Sequence, residues 1–125
     1  MLPAAFTEIA TGYSFLESPR WHDGTLWLSD FYTHRVLTLD AAGQIDTVCT
    51  VPAQPSGLGW LPDGRLLVCA MRERRVLRLE ADGRLVEHAD LSAIAGGHIN
   101  DMVVDAQGRA WVGNFGFDRS GDTPL

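Results

Sequence analysis

A unit of about forty residues recurs along this chain, and no other feature restricts its fold as strongly. WHDGTLWLSD (Trp21 to Asp30), LPDGRLLVCA (Leu61 to Ala70) and DAQGRAWVGN (Asp105 to Asn114) are copies of one segment built around Gly24, Gly64 and Gly108. Between them, RVLTLDAAGQI (Arg35 to Ile45) and RVLRLEADGRL (Arg75 to Leu85) form a second series at the same spacing. Repeats of this length, each holding several short strands and a glycine turn, specify β-propeller blades, because one such sheet buries its faces only against others like it. The expected fold is therefore all-β, with blade 1 over about 13–52, blade 2 over about 55–92 and a partial blade 3 over about 98–118. A propeller closes with about four blades or more. Two and a half are legible here, so the chain reads as the N-terminal part of a larger ring.

Within blade 1 the strands are expected at SFLESPRW, LWLSDF, VLTLD and QIDTVCTV, and blade 2 repeats the order with SGLGWL, RLLVCAM, RVLRLE and RLVEHADL. Asp23-Gly24 predicts a tight type I′ hairpin, in which both central residues need positive φ. In QIDTVCTV, Ile45, Thr47, Cys49 and Val51 alternate with Gln44, Asp46, Val48 and Thr50, the pattern of a strand with one wetter face. LLVCAM is apolar on both faces, as a strand packed between two neighbouring blades would be. Blade 3 begins at His98 with INDMVVD and AWVGNF and runs into a polar tail.

Charge and motifs exclude several function classes. The net charge is −6 and all ten basic residues are Arg, which argues against nucleic acid or an anionic membrane as partner. Arg72, Arg74, Arg75 and Arg78 cluster, but they flank a predicted hairpin and alternate with Glu73 and Glu80, so the cluster reads as a solvated edge that discourages edge pairing. Cys49 and Cys69 sit in apolar strands, outside any CxxC or Cys/His pattern, and read as small buried side chains. The N-terminus lacks the pattern of a signal peptide and no segment is long enough to span a bilayer, so a soluble cytoplasmic protein is expected. GxSxG, Gly-rich phosphate loops and HExxH are absent from the sequence, which leaves serine hydrolase, nucleotide and zincin readings unsupported.

Counting seven residues back from each turn glycine reaches Glu17, Gly57 and Asp101, preceded by Leu16, Ser56 and Asn100. The first strand of each propeller blade lines the central channel, so equivalent positions ring the axis. Glu17 and the pair Asn100-Asp101 are then expected to converge from different blades. Hard oxygen donors where apolar residues would be ordinary suggest a site for a Ca2+-like or Zn2+-like cation.

At these residues the chain resembles the SMP-30/gluconolactonase/luciferin-regenerating-enzyme family. FLESPRW, PSGLGWLPDGRLLV and HINDMVVDAQGRAWVGNFGFD carry the resemblance, in order and with the right spacing, from about Tyr13 to Asp118. It implies a six-bladed propeller with one divalent metal ion in its channel (Ca2+ or Zn2+, with Mn2+ and Mg2+ as further candidates) and metal-assisted hydrolysis of a sugar lactone or related cyclic ester. By the same resemblance Glu17 is a metal ligand and Asn100 lines the substrate pocket, while the remaining ligands and a general base come from blades outside this chain. Members with an RxND motif carry Arg where this chain has His98, which makes His98 either a hydrogen-bond donor to substrate or a plain loop residue. Asp101 has three readings, as a third substrate contact, a loop pin or a brace to a neighbouring blade. The partner implied is a small-molecule lactone, with the missing propeller half supplied in cis rather than in trans. Two other functions remain open at this point: a non-catalytic propeller that binds a ligand at the channel mouth, and a truncated product without activity of its own.

Overall fold

The computed structural model describes residues 5–118. It contains ten strands: β1 (Leu16–His22), β2 (Thr25–Asp30), β3 (Arg35–Leu39), β4 (Ile45–Thr50), β5 (Pro55–Trp60), β6 (Leu66–Ala70), β7 (Arg75–Leu79), β8 (Leu85–Asp90), β9 (Ile99–Val104) and β10 (Ala110–Asn114). They form two antiparallel four-stranded meanders, β1 to β4 and β5 to β8, and a two-stranded hairpin, β9 and β10. These are two blades and the inner half of a third, and the architecture is that of a β-propeller. The polar tail beyond Asp118 lies outside the described residues. Among the described residues no helix is long and apolar enough to cross a membrane.

Blade 2 lies between the other two, and its second strand shows the consequence. Leu66, Val68 and Ala70 join a core with Val36, Val51, Ala53 and Leu58 on the blade 1 side. Leu67 and Cys69 join the opposite core with Val76, Ala95, Ile99 and Met102 on the blade 3 side. The two-sided apolarity of LLVCAM is thus the pattern of a strand covered on both faces. Cys69 is buried and Cys49 partly so, both are free thiols, and burial pushes them up to about 12 and about 11 respectively.

One detail of β4 departs from strict alternation. Val36 pairs with Cys49 and Leu37 with Thr47, which leaves Val48 as the extra residue of a β-bulge. The bulge shifts the phase of the strand, so Val48 and Cys49 both pack against the core. Blade 2 repeats the device at His88, between the pairs Val76 with Ala89 and Leu77 with Glu87.

Glycines bring the inner strands of blades 2 and 3 together. A Cβ on Gly57 would sit 2.5 Å from the Met102 backbone nitrogen, and one on Gly59 would sit 2.5 Å from Cγ2 of Val104. Only hydrogen at these two positions lets β5 lie directly on β9.

Candidate functional site

Hairpin register decides which side chains share a level in the channel. In β1, Leu16 pairs with Asp30, and the equivalent pairs are Pro55 with Ala70 and Ile99 with Asn114. The next residues along, Glu17, Ser56 and Asn100, are therefore equivalent, and Asp101 is level with Ser18 and Gly57. Counting back from the glycines misaligned blade 1 by one residue, because its first turn is one residue shorter. His22 pairs with Thr25 across Asp23-Gly24, whose φ values of 47° and 74° make the type I′ turn. In blade 2, Leu61 and Arg65 close a three-residue loop through the Leu61 N–H and the Arg65 carbonyl at 2.9 Å, with Gly64 at φ 88°. Pro62 begins that loop, and its ring locks φ negative, which a type I′ turn cannot accept.

Serine hydroxyls stitch the equivalent level from blade to blade. Ser29, the cross-strand partner of Glu17, donates its hydroxyl to the Ser56 carbonyl at 2.8 Å. Ser56 in turn donates its hydroxyl to the Asn100 carbonyl at 2.8 Å. Both serines are fully buried. Each first strand also carries a bulge just past this level, between Glu17 and Arg20, Pro55 and Leu58, and Ile99 and Met102. The bulge adds a residue where the strand must re-aim its side chains beside the site. Neither the serines nor the bulges were singled out from sequence; Pro62 was the available signal for the register.

Glu17, Asn100 and His98 line one cavity of about 560 Å³ with Phe15, Phe31, Tyr32, Met71 and Phe115. Phe15, Phe31 and Tyr32 meet edge to face, with centroids 4.9 to 6.1 Å apart, and form an apolar wall beside the carboxylate. Glu17 Oε1 is buried and has no hydrogen-bond partner among the described residues. Burial, and then the negative charge of Asp101, push the Glu17 carboxyl above the usual carboxylate range. Both effects penalise the ionised form, so a cation seated at Oε1 would relieve what the chain alone leaves uncompensated. Glu17 therefore fits a single ligand position for a divalent ion. No group of three or more His, Cys, Asp or Glu side chains that could hold a metal ion converges among the described residues.

Asp101 is placed differently. Its Oδ1 accepts from Arg20 Nη2 at 2.6 Å, and the same Arg20 nitrogen donates to the Met102 carbonyl at 2.9 Å. The pair clamps β1 of blade 1 to β9 of blade 3 past the glycine-bearing strand of blade 2. Asn100 points into the cavity and Asp101, its neighbour in sequence, does not line it.

Asp30, the partner of Leu16, anchors the chain leading into β1. It is wholly buried and accepts from the Ser14 and Phe15 backbone N–H groups and from the Ser14 and Thr33 hydroxyls. Burial alone would raise its pKa, but these hydrogen bonds outweigh it and hold the carboxyl down at about 2.

The family model for the SMP-30/Gluconolactonase/LRE-like region matches residues 15–124. A gluconolactonase from Xanthomonas campestris superposes with a TM-score of 0.74 at 26% identity, over 83% of this chain and 36% of that one. The calcium-binding protein regucalcin from Agrobacterium tumefaciens gives a TM-score of 0.66 at 20% identity, over 88% of this chain and 44% of that one. Virginiamycin B lyase from Staphylococcus aureus gives 0.60 at 20% identity, over 79% and 33%. The last two show the fold alone. The chain thus spans between about a third and under half the length of these structures. No curated protein sequence matches the chain.

Proposed function

Because the chain belongs to the SMP-30/gluconolactonase/LRE-like family, we propose that it is the N-terminal half of a metal-dependent lactonase, acting on a sugar lactone or related cyclic ester. The observation that carries this reading is the buried Oε1 of Glu17, unpartnered among the described residues, at the wall of a cavity shared with Asn100 and His98. A divalent cation at Glu17 (Ca2+ or Zn2+, with Mn2+ and Mg2+ as further candidates) would supply Lewis-acid polarisation of the lactone carbonyl and lower the pKa of water.

The residues of this chain then bind and orient. Glu17 acts as ligand rather than base, because a carboxylate held against a cation stays ionised with its lone pairs committed. The Asn100 carboxamide, positioned by the hydrogen bond that Ser56 makes to its backbone carbonyl, donates to a substrate oxygen. His98 reaches the same space from the loop before β9 and offers a further hydrogen bond to a sugar hydroxyl. Phe15, Phe31 and Tyr32 cover one side of the ring and exclude water, which strengthens each polar contact inside. Asp101 acts on the site from behind: clamped to Arg20, it holds β9 in place and adds negative field at Glu17. The general base comes from blades outside this chain, and a ring completed in cis in the cytoplasm is the setting proposed.

The test is turnover of an aldonolactone by the full-length protein and its Glu17→Gln variant, with and without chelator. Loss of turnover in both the variant and the chelated enzyme is expected. Hydrolysis that survives Glu17→Gln would overturn the assignment. A ligand retained without any turnover would instead mark a non-catalytic binding propeller.

A further inference from the structure

Nine of the ten arginines lie within residues 5–118, and seven of those nine form ion pairs: Arg20, Arg35, Arg65, Arg75, Arg78, Arg84 and Arg109. The two that form none among the described residues, Arg72 and Arg74, flank Glu73 in one turn. The arginine cluster read from sequence as a solvated edge is therefore two different things. Arg75 pairs with Glu87 and Asp90, and Arg78 with Glu80, along the outer strands of blade 2. Arg72 and Arg74 instead sit in the turn between β6 and β7 and line a cavity of about 250 Å³ with Gly96, Gly97, His98 and Asp118.

This cavity adjoins the candidate site. His98 lines both, and Met71, next in sequence to Arg72, lines the site cavity. Arg74 is fixed by donating Nη1 to the Ala95 carbonyl at 3.1 Å, which ties the turn to the loop before β9. The Arg72 guanidinium makes no side-chain hydrogen bond among the described residues and is exposed. A Cβ on Gly96 would lie 2.6 Å from the Gly116 carbonyl oxygen, so the loop is pressed against the turn after β10 and leaves open space on the arginine side. Among the described lining residues one acid, Asp118, stands against two guanidiniums. In a chain of net charge −6, two guanidiniums that form no ion pair among the described residues, beside a small-molecule cavity, suit a planar or tetrahedral anion, which such forks bind with paired, charge-assisted hydrogen bonds. The described lining residues belong to blade 2, blade 3 and the loop between them.

We propose that Arg72 and Arg74 form an anion subsite beside the lactone pocket, and that the substrate is a lactone bearing a carboxylate or phosphate group. The proposal rests on the lactonase reading for the identity of the reacting group, and on the arginine pair alone for the charge.

The experiment compares kcat/KM of the full-length protein on a neutral aldonolactone and on its phosphorylated and carboxylate-bearing counterparts, for the native sequence and for Arg72→Ala. Arg72 is exposed and its side chain makes no hydrogen bond or ion pair among the described residues, so this substitution is expected to leave the fold intact. Preference for one of the charged lactones by about tenfold or more is expected, lost in Arg72→Ala mainly through KM, with the neutral lactone changed by less than about twofold. Equal turnover of charged and neutral lactones, unaffected by Arg72→Ala, overturns the proposal. Inorganic phosphate is titrated in parallel by thermal shift. If no lactone is opened but phosphate stabilises the native sequence and not Arg72→Ala, the lactonase reading falls and the anion subsite stands. If phosphate does not bind and no lactone is opened, both fall.

Discussion

Blade 2 and its flanking blades are built from the same repeat, yet they are buried to very different degrees. All five residues of β6 are buried. At the equivalent second strand of blade 3, Trp111 is 61% exposed, and in blade 1 Trp21, the counterpart of Trp60, is 70% exposed. Trp60 itself is stacked on His22 at 3.9 Å and meets Trp27 edge to face. The difference does not lie in the apolarity of the side chains, since tryptophan is at least as apolar as what it replaces. It lies in what stands opposite. A blade's two faces are completed by its neighbours, and among the described residues only blade 2 has one on each side.

The largest expected effects test that contrast in the core. Leu67→Ala removes a fully buried side chain and should cost about 3 kcal/mol in denaturant unfolding. At the equivalent position of blade 3, Trp111→Ala should cost under about 0.5 kcal/mol where that face is open. In a protein whose next blade covers Trp111, as the proposed larger ring requires, the cost should rise to about 3 kcal/mol. Equal and small costs at Trp111 in both settings would break the ring proposal.

Close approach provides a second contrast. Gly57→Ala places a methyl against the β9 backbone and should cost about 2 kcal/mol or more, with a raised KM for the lactone as Asn100 is displaced. Gly113→Ala, where the nearest atom is the Asp101 carbonyl oxygen at 3.7 Å, should cost less than about 0.5 kcal/mol. Comparable losses at the two glycines would remove the special role given to β5 against β9.

Two carboxylates at the head of blade 1 have opposite pH signatures. Asp30 ionises more readily in the folded chain, at about 2 against an ordinary 3.8. Its contribution, about 2 kcal/mol, is fully present above pH 4 and is lost as pH falls toward 2; Asp30→Asn should abolish that acid-side loss. Glu17 is shifted the other way. Without a cation its ionisation costs stability, so that contribution is favourable in acid and is lost as pH rises through the raised folded value. Glu17→Gln should therefore give a small stabilisation at neutral pH in chelator, the least of these effects, and should abolish the thermal shift produced by added Ca2+ or Zn2+. A destabilised Glu17→Gln protein in chelator would contradict a carboxylate whose Oε1 is buried and unpartnered among the described residues.

Much of this was legible in the chain. Every strand expected from the repeat is present, because the glycine turns and the period-2 patterns are local signals that neighbouring chain does not override. Glu17, Asn100 and His98, singled out from the sequence, line one cavity. An inter-blade brace was among the readings open for Asp101, but Arg20 as its partner was not legible, since nothing near either residue in sequence announces a partner 81 positions away. Arg72 and Arg75 look alike on paper. They part because one lies in a turn facing another blade and the other on a strand lined with acids.

The sequence by itself determined the repeat, the strands, the turns and the chemical types available at the channel, since each depends on dihedral preference and side-chain polarity within a few residues. Tertiary structure alone decided which residues share a level. A two-residue turn in blade 1 against a three-residue loop in blade 2 moves a whole strand by one position, and one position exchanges the face that every side chain presents. That shift sets Ser56, rather than Gly57, level with Glu17 and Asn100, while Asp101, the next residue of β9, does not line the cavity that Asn100 lines.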